Sequence, residues 1–90
     1  MRDIGLLVLV SLSDGPKHGY AIQLDIESFA GLRLGPGTLY GAISRLERDG
    51  AISPVKSEER RKPYRLTPTG QSLLAVRLQM LQRVVARALA

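Results

Sequence analysis

The sequence has ninety residues, thirteen Lys and Arg against eight Asp and Glu, and a formal net charge of +5. A chain of this length forms one small domain, whose core is marginal without a metal, disulfides or a partner chain. Because there is no cysteine, a disulfide framework and a thiolate metal site are excluded. A second subunit remains as the group that could stabilise the core. The longest apolar run, Ile4 to Val10, is too short for a membrane span and lacks a signal-peptide shape, so we expect a soluble, cytoplasmic protein.

Two helices are predicted in the first third of the chain. Residues 3 to 12 are apolar around the whole helix circumference, which indicates a buried helix or, as the alternative, a strand, stopped by Gly15 and Pro16. Residues 18 to 29 have the i, i+4, i+7 spacing of an amphipathic helix that ends near Gly31. The apolar positions of this second helix are Ile22, Ile26 and Phe29.

A third helix is predicted from Pro36 to Asp49, because the fixed φ and missing N–H of proline suit the first helical position. Gly50 is expected to end it. The apolar stripe of this helix consists of Leu39, Ala42, Ile43 and Leu46. With that stripe turned inward, the outer face carries Thr38, Gly41, Ser44, Arg45 and Arg48, with Tyr40 at the margin.

The second and third helices, joined by a short link containing glycine, have the pattern of a helix-turn-helix, whose second helix reads the DNA major groove. Arginine can donate two hydrogen bonds to one guanine edge, and serine and threonine can form hydrogen bonds with bases or phosphates. We therefore expect Thr38, Ser44 and Arg45 to contact base edges. The helix start at Gly37 offers free N–H groups to a phosphate. The alternative is a solvated helix face that is basic by chance.

Two strands joined by a charged loop are predicted at 51 to 56 and 63 to 66. A hairpin after three helices is the arrangement of a winged helix, and cations on the wing are expected to contact the DNA backbone or minor groove. These cations are Lys56, Arg60, Arg61 and Lys62. The alternative is a solvated turn, and the net positive charge alone fits solubility as well as a polyanionic partner.

Enzymatic chemistry is not expected. His18 is the sole histidine and there is no cysteine, so neither a metal site nor a nucleophile–base pair can be built around it, and we predict that it lies near a helix start. No metal and no cofactor are expected. Tyr20, Tyr40 and Tyr64 are expected mainly as core aromatics, whose hydroxyls could also reach a phosphate.

A long final helix is predicted from Thr67, as N-cap, and Pro68 to Ala90. Its apolar residues step by four and three, the rhythm of a coiled-coil seam, at Leu74, Leu78, Leu81, Val85 and Ala88. We expect this seam to form a homodimer, and the alternative is packing on its own domain. The predicted fold is mainly α with a small β-hairpin: a winged helix-turn-helix over 1–66 and a dimerisation helix over 67–90.

Three stretches, GPKHGYAIQLDIE, GPGTLYGAISRLERDGAI and RRKPYRLTPTG, resemble the PadR family of transcriptional regulators, in the family's order and over residues 4 to 73. The resemblance implies a winged-helix repressor that binds double-stranded operator DNA as a dimer through a C-terminal helical part. It places Thr38, Tyr40 and Ser44 on the recognition helix and Arg60 to Lys62 on the wing. It also implies phosphate contacts by Lys17 and Tyr20.

The sequence departs from the family pattern at Gly41, where many relatives have proline, and it has one C-terminal helix, as in the short subgroup. The resemblance leaves a small-molecule effector open as a partner. Some short members bind aromatic drugs between tryptophans at the dimer interface, and this sequence has no tryptophan. The alternative function is a winged-helix module that binds a protein through its basic face.

Overall fold

The computed structural model describes residues 3–58 and 60–90. Its helices are α1 (Ile4–Ser11), α2 (Gly19–Ala30), α3 (Pro36–Arg48) and α4 (Pro68–Ala88). Its strands are β1 (Lys17–His18), β2 (Ile52–Pro54) and β3 (Pro63–Leu66), and a 3-10 turn, Leu12–Asp14, follows α1. The predicted order of three helices, a hairpin and a long helix is confirmed. Among the helices in the described ranges, none combines the length and the apolar character needed to cross a membrane.

The core lies between α1, α2 and α3, with the hairpin and the start of α4 closing it. The apolar stripe predicted for α3 is buried in full, and Val8 and Leu9 of α1 are among the least accessible residues. Phe29, the third apolar position of α2, is 46% exposed and does not join the core. The last turn of α2 runs beyond the core, and Leu34 from the α2–α3 link is buried there instead.

The described strands form an antiparallel sheet in the order β1-β3-β2. The β2–β3 hairpin was predicted, whereas β1 was not, since a two-residue strand leaves no periodicity to detect. In β1, Lys17 pairs with Tyr64 and His18 with Pro63. This pairing ties the start of α2 to the returning strand of the hairpin.

Side chains cap the helices where the sequence indicates their starts. His18 is the N-cap of α2, and its Nδ1 accepts a hydrogen bond from the Ala21 N–H at 3.3 Å. Thr67 Oγ1 accepts from the Gly70 N–H at 3.0 Å and donates to the Gly50 carbonyl at 2.6 Å. The helix-start roles of His18 and Thr67 are therefore confirmed, and Gly31 ends α2 in a left-handed conformation at φ 64°.

The final helix packs on the domain through its first three turns. A β-carbon at Gly70 would lie 2.9 Å from the carbonyl carbon of Ala51, so this glycine allows α4 to approach the backbone before β2. Leu74 joins the hydrophobic core. From Leu78 to Ala88 every residue of α4 is exposed, so the second half of the helix extends away from the domain.

Candidate nucleic-acid interface

The outer face of α3 is small, polar and basic at its centre. Successive helix residues are rotated by about 100°, which places Gly37, Gly41, Ser44 and Arg48 opposite the buried stripe. Gly37, Ser44 and Arg48 are exposed and Gly41 is half-buried. With two glycines in the row, a flat surface can approach the α3 backbone closely, while Ser44 and Arg48 supply hydrogen-bond donors.

One flank of this face is turned towards α1 and α4. Thr38 and Arg45 lie on it, and Arg45 lines a surface concavity of about 530 Å³ together with Asp3, Asp49 and other residues of α1, α3 and α4. A β-carbon at Gly41 would meet Arg45 Nη1 at 3.7 Å, which shows that the guanidinium folds back along its own helix. Arg45 is thus exposed at the edge of the α3 face rather than at its centre.

The other flank is formed by Tyr40, which stands against the start of α2. Gly19 is buried under the Tyr40 ring, and a β-carbon there would lie 2.6 Å from Tyr40 Cε1. The absence of a side chain at Gly19 therefore allows the ring to lie across the α2–α3 junction. Tyr40 itself remains 46% exposed, so part of this side chain is accessible beside the centre of α3.

A second concavity, of about 440 Å³, lies between the starts of α2 and β3 and the Tyr40 flank. Its lining residues are His18, Gly19, Tyr20, Tyr40, Arg61, Lys62 and Tyr64. We name it the tyrosine concavity. It combines two wing cations with phenol groups, and a polyanion can find both charge and hydrogen-bond donors there.

The three tyrosines differ in burial. Tyr64 packs against the core, as the sequence analysis expected, and burial, followed by the charges of Glu47 and Tyr40, raises the pKa of its hydroxyl. Tyr20 and Tyr40 are about half exposed, so the expectation of core packing is wrong for these two. They are available to a partner because the wing and α2 leave an open concavity in front of them rather than a closed core.

The wing cations are all exposed. Lys56 follows β2, while Arg60, Arg61 and Lys62 precede β3, and the Val55 N–H donates to the Pro63 carbonyl at 2.8 Å, which continues the hairpin past β2. The Arg61 guanidinium lies over the Tyr20 ring, 5.8 Å from its centroid. The chain thus carries a basic segment beside the tyrosine concavity.

Lys17 is held inside a polar network. Its ammonium contacts the Asp14 carboxylate and the Ser11 carbonyl and lies 3.9 Å from Asp25 Oδ2, and the side chain is 19% exposed. Ser11 Oγ also donates to Asp25 at 2.7 Å. The hydrogen bond and charge of Lys17 lower the pKa of Asp14. In this arrangement the ammonium joins α1, β1 and α2 rather than facing the outer surface of α3.

The angle between α2 and α3 is supported by a contact that the sequence analysis missed. Gln23 Nε2 donates to the Leu34 carbonyl at 3.0 Å, which fixes the link just before α3 begins. The sequence carries no signal for this bond, since a glutamine on the polar side of an amphipathic helix ordinarily faces water. It nevertheless holds the two helices of the helix-turn-helix in register.

The seam proposed for α4 begins in the core and continues into solvent. Leu74 is buried, whereas Leu78, Leu81, Val85 and Ala88 are exposed. A second exposed apolar row runs beside it, made of Leu73, Val76, Met80 and Val84. Arg77 forms an ion pair with Asp3, which fixes α4 to the start of α1.

Comparison with known proteins identifies the family. Residues 8–76 match the model of the transcriptional regulator PadR-like family. The chain is 35% identical over 74 residues to a transcriptional regulator of Mycobacterium tuberculosis, covering 79% of this chain and 68% of that regulator. It is 46% identical over 86 residues to a 37.1 kDa protein in a Streptomyces fradiae transposon, covering 96% of this chain but 25% of that protein.

Solved structures agree with this assignment. A PadR family transcription regulator from Clostridium difficile is similar with a TM-score of 0.82 and 27% identity, over 97% of this chain and 98% of that one. A transcriptional regulator from Clostridium thermocellum is similar with a TM-score of 0.75 and 28% identity, over 93% and 87% of the two chains. The chain therefore belongs to the PadR-like family of transcriptional regulators, which are winged-helix proteins and not enzymes.

Proposed function

We propose that the chain is a dimeric, sequence-specific DNA-binding repressor of the cytoplasm, with α3 as its recognition helix. The observation that carries this proposal is the continuity of one surface: the small, polar outer face of α3 adjoins a concavity lined by Arg61 and Lys62. A duplex presents base edges in its groove and phosphates beside it. The same surface therefore offers both kinds of contact at once.

Base reading is assigned to the centre and edges of α3. Ser44 and Arg48 lie at the centre with Gly41, which allows close approach, and Thr38 and Arg45 lie on the flank nearer α1. An arginine that reaches a guanine edge discriminates against other bases by about 1–3 kcal/mol. Replacing Arg48 by Ala is expected to relax base preference at one position in each half-site, and Arg45→Ala tests the same role on the flank.

Phosphate contacts are assigned to the wing cations, to the N–H groups at Gly37 and to the hydroxyl of Tyr40. Cations at such positions release counterions from DNA and act on every sequence alike. Arg61→Ala should therefore weaken binding to all duplexes by a similar factor, whereas Arg48→Ala should weaken the preferred duplex most. If Arg61→Ala altered the preferred sequence and Arg48→Ala did not, the roles of helix and wing would be reversed.

Dimerisation is assigned to residues 67–90, which contain α4, and DNA binding to residues 1–66. The second half of α4 exposes two apolar rows that its own domain leaves uncovered, and a 21-residue helix is about 31 Å long. Two recognition helices must lie about 34 Å apart to enter successive major grooves on one side of a duplex. A second copy of the chain would cover the rows, and α4 is long enough to help set this spacing.

The experiment selects genomic duplexes that the purified chain retains and measures the size of the complex by light scattering. The proposal expects an enriched sequence with two related halves, bound by two chains. Replacing Leu81 and Val85 by Ser should give a monomer that binds half-sites weakly, while Gln79→Ser on the polar side of α4 serves as the matched control. If no duplex were enriched and the chain bound a protein instead, the function would be that of an interaction module.

A further inference from the structure

Tyr20 and Arg61 meet across the tyrosine concavity although they lie on different elements. Tyr20 is the second residue of α2, and Arg61 lies two residues before β3 in the wing. The guanidinium carbon is 5.8 Å from the centroid of the phenol ring. The β1–β3 pairing, with His18 opposite Pro63, brings these two segments together.

The contact is attractive, since a cation over the face of an aromatic ring interacts with the negative centre of its quadrupole. Arg61 is exposed and belongs to the loop of the wing. Within residues 3–58 and 60–90, no carboxylate forms an ion pair with Arg61. The Tyr20 ring is therefore the group that restricts this guanidinium in the described part of the chain.

We propose that Tyr20 is a positioning residue: its ring holds the Arg61 guanidinium in place so that the wing contacts a DNA phosphate beside α3. This inference rests on the proposed DNA-binding function and deepens it. A guanidinium has five N–H donors, and its attraction to an aromatic ring uses none of the hydrogen bonds that a phosphate can accept. The contact with the ring and phosphate binding are thus compatible.

The inference assigns the role to the ring rather than to the phenolic hydroxyl. A direct phosphate contact by Tyr20 would need the hydroxyl, whereas positioning of Arg61 needs only an aromatic face. Tyr20→Phe keeps the ring, and Tyr20→Leu replaces it with an aliphatic side chain. Since Tyr20 is half exposed and outside the core, both variants are expected to retain the wild-type melting curve.

The experiment measures operator affinity for these variants in three backgrounds: wild type, Arg61→Ala and Arg60→Ala. Exposed cation–π contacts correspond to a factor of about two to five in equilibrium, so Tyr20→Leu should weaken binding by about this factor per half-site. Tyr20→Phe should bind as wild type. The effect of Tyr20→Leu should vanish with Arg61→Ala and persist with Arg60→Ala, the neighbouring cation that serves as the matched control.

Equal losses in Tyr20→Phe and Tyr20→Leu would overturn the proposal in favour of a hydroxyl contact. A loss in Tyr20→Leu that is unchanged by Arg61→Ala would also overturn it, because ring and guanidinium would then act independently.

A second readout needs no DNA. In the free protein, ring current should shift the Arg61 δ-methylene protons upfield in wild type and Tyr20→Phe but not in Tyr20→Leu. If the wild type bound no duplex, the proposed DNA-binding function would be wrong. The chemical shift of Arg61 would still show whether the Tyr20 ring holds its side chain. Equal chemical shifts in all three proteins would overturn the positioning role.

Discussion

Gly19 of α2 lies directly beneath the aromatic ring of Tyr40 of α3, so close that a β-carbon at position 19 would lie 2.6 Å from Tyr40 Cε1. Carbon atoms in favourable contact are about 3.5–4.0 Å apart, so no side chain fits there unless the ring moves. The pair joins the two helices of the helix-turn-helix at the edge of the proposed DNA surface. The position of Tyr40 therefore depends on a glycine in the neighbouring helix.

Replacing Gly19 by Ala should displace the Tyr40 ring and weaken both folding and DNA binding. The obstacle is the outer end of a half-exposed side chain that can move aside, so the expected loss is about 1 kcal/mol, the lower end of the cost of overpacking. In a Tyr40→Ala background the space is open, and Gly19→Ala should then cost nothing further in stability. Urea unfolding of the four proteins measures this coupling. Equal costs of Gly19→Ala in both backgrounds would show that the ring is not the obstacle.

Gly70→Ala should destabilise the chain, since its β-carbon would be 2.9 Å from the Ala51 carbonyl carbon and backbone cannot move aside as a side-chain tip can. The expected loss is about 1–3 kcal/mol in the free energy of unfolding. Gly41→Ala is the control, because its nearest neighbour is the mobile end of Arg45 at 3.7 Å. In Gly41→Ala the free energy of unfolding should rise by about 0.5–1 kcal/mol, because alanine has a higher helix propensity than glycine. Equal effects in both would contradict the packing of α4.

Lys17→Met should act on stability rather than on phosphate binding. Its ammonium contacts Asp14 and the Ser11 carbonyl, so its loss should cost about 0.5–1.5 kcal/mol in unfolding experiments. The dependence of DNA affinity on salt should stay as in wild type. The exposed Lys62→Met is the matched control, with unchanged stability and a salt slope reduced by about 2 for a dimer. A reduced slope in Lys17→Met would instead support the phosphate contact implied by the family resemblance.

Tyr64 should ionise at a higher pH than an ordinary tyrosine in an alkaline absorbance titration. Burial, then the negative charges of Glu47 and Tyr40, raise the pKa of its hydroxyl above the ordinary 10.0. The Tyr64 hydroxyl therefore loses its proton at a lower pH in the unfolded chain than in the folded one. The stability that this difference in pKa gives the folded chain is complete below pH 10.0 and is lost as pH rises through the folded pKa. Tyr64→Phe should abolish the late transition, and Glu47→Gln should move it to lower pH. An unchanged late transition in Tyr64→Phe would contradict the assignment.

The helices could be predicted from the sequence because their apolar residues recur at helical spacing, a pattern that one sequence is enough to show. Leu39, Ala42, Ile43 and Leu46 repeat at helical spacing and are buried in the structure. Two helix starts could be predicted because they depend on local chemistry: the ring of Pro36 or Pro68 suits the first helical position, and the Thr67 side chain caps α4. Phe29 shows the limit, because its spacing fits the buried face and yet the helix extends past the core.

The geometry of the candidate site depended on contacts between distant residues. The pairing of Lys17 with Tyr64 creates the tyrosine concavity, and two residues of strand carry no detectable pattern. The close approach of Gly70 to Ala51 is a second such contact, which joins two segments distant along the chain. Helix periodicity predicts which residues of α3 face outward, whereas the position of Arg45 beside α1 and α4 follows from the helices packed around it.

The dependence of operator affinity on salt tests the central claim most directly. If the four wing cations of each subunit contact phosphates in the proposed dimer, there are eight such contacts, and each contributes about −0.9 to the slope of log K against log salt. Fluorescence anisotropy titrations with a selected duplex should therefore give a slope of about −7. An affinity that does not change with salt would contradict the assignment of this surface to DNA.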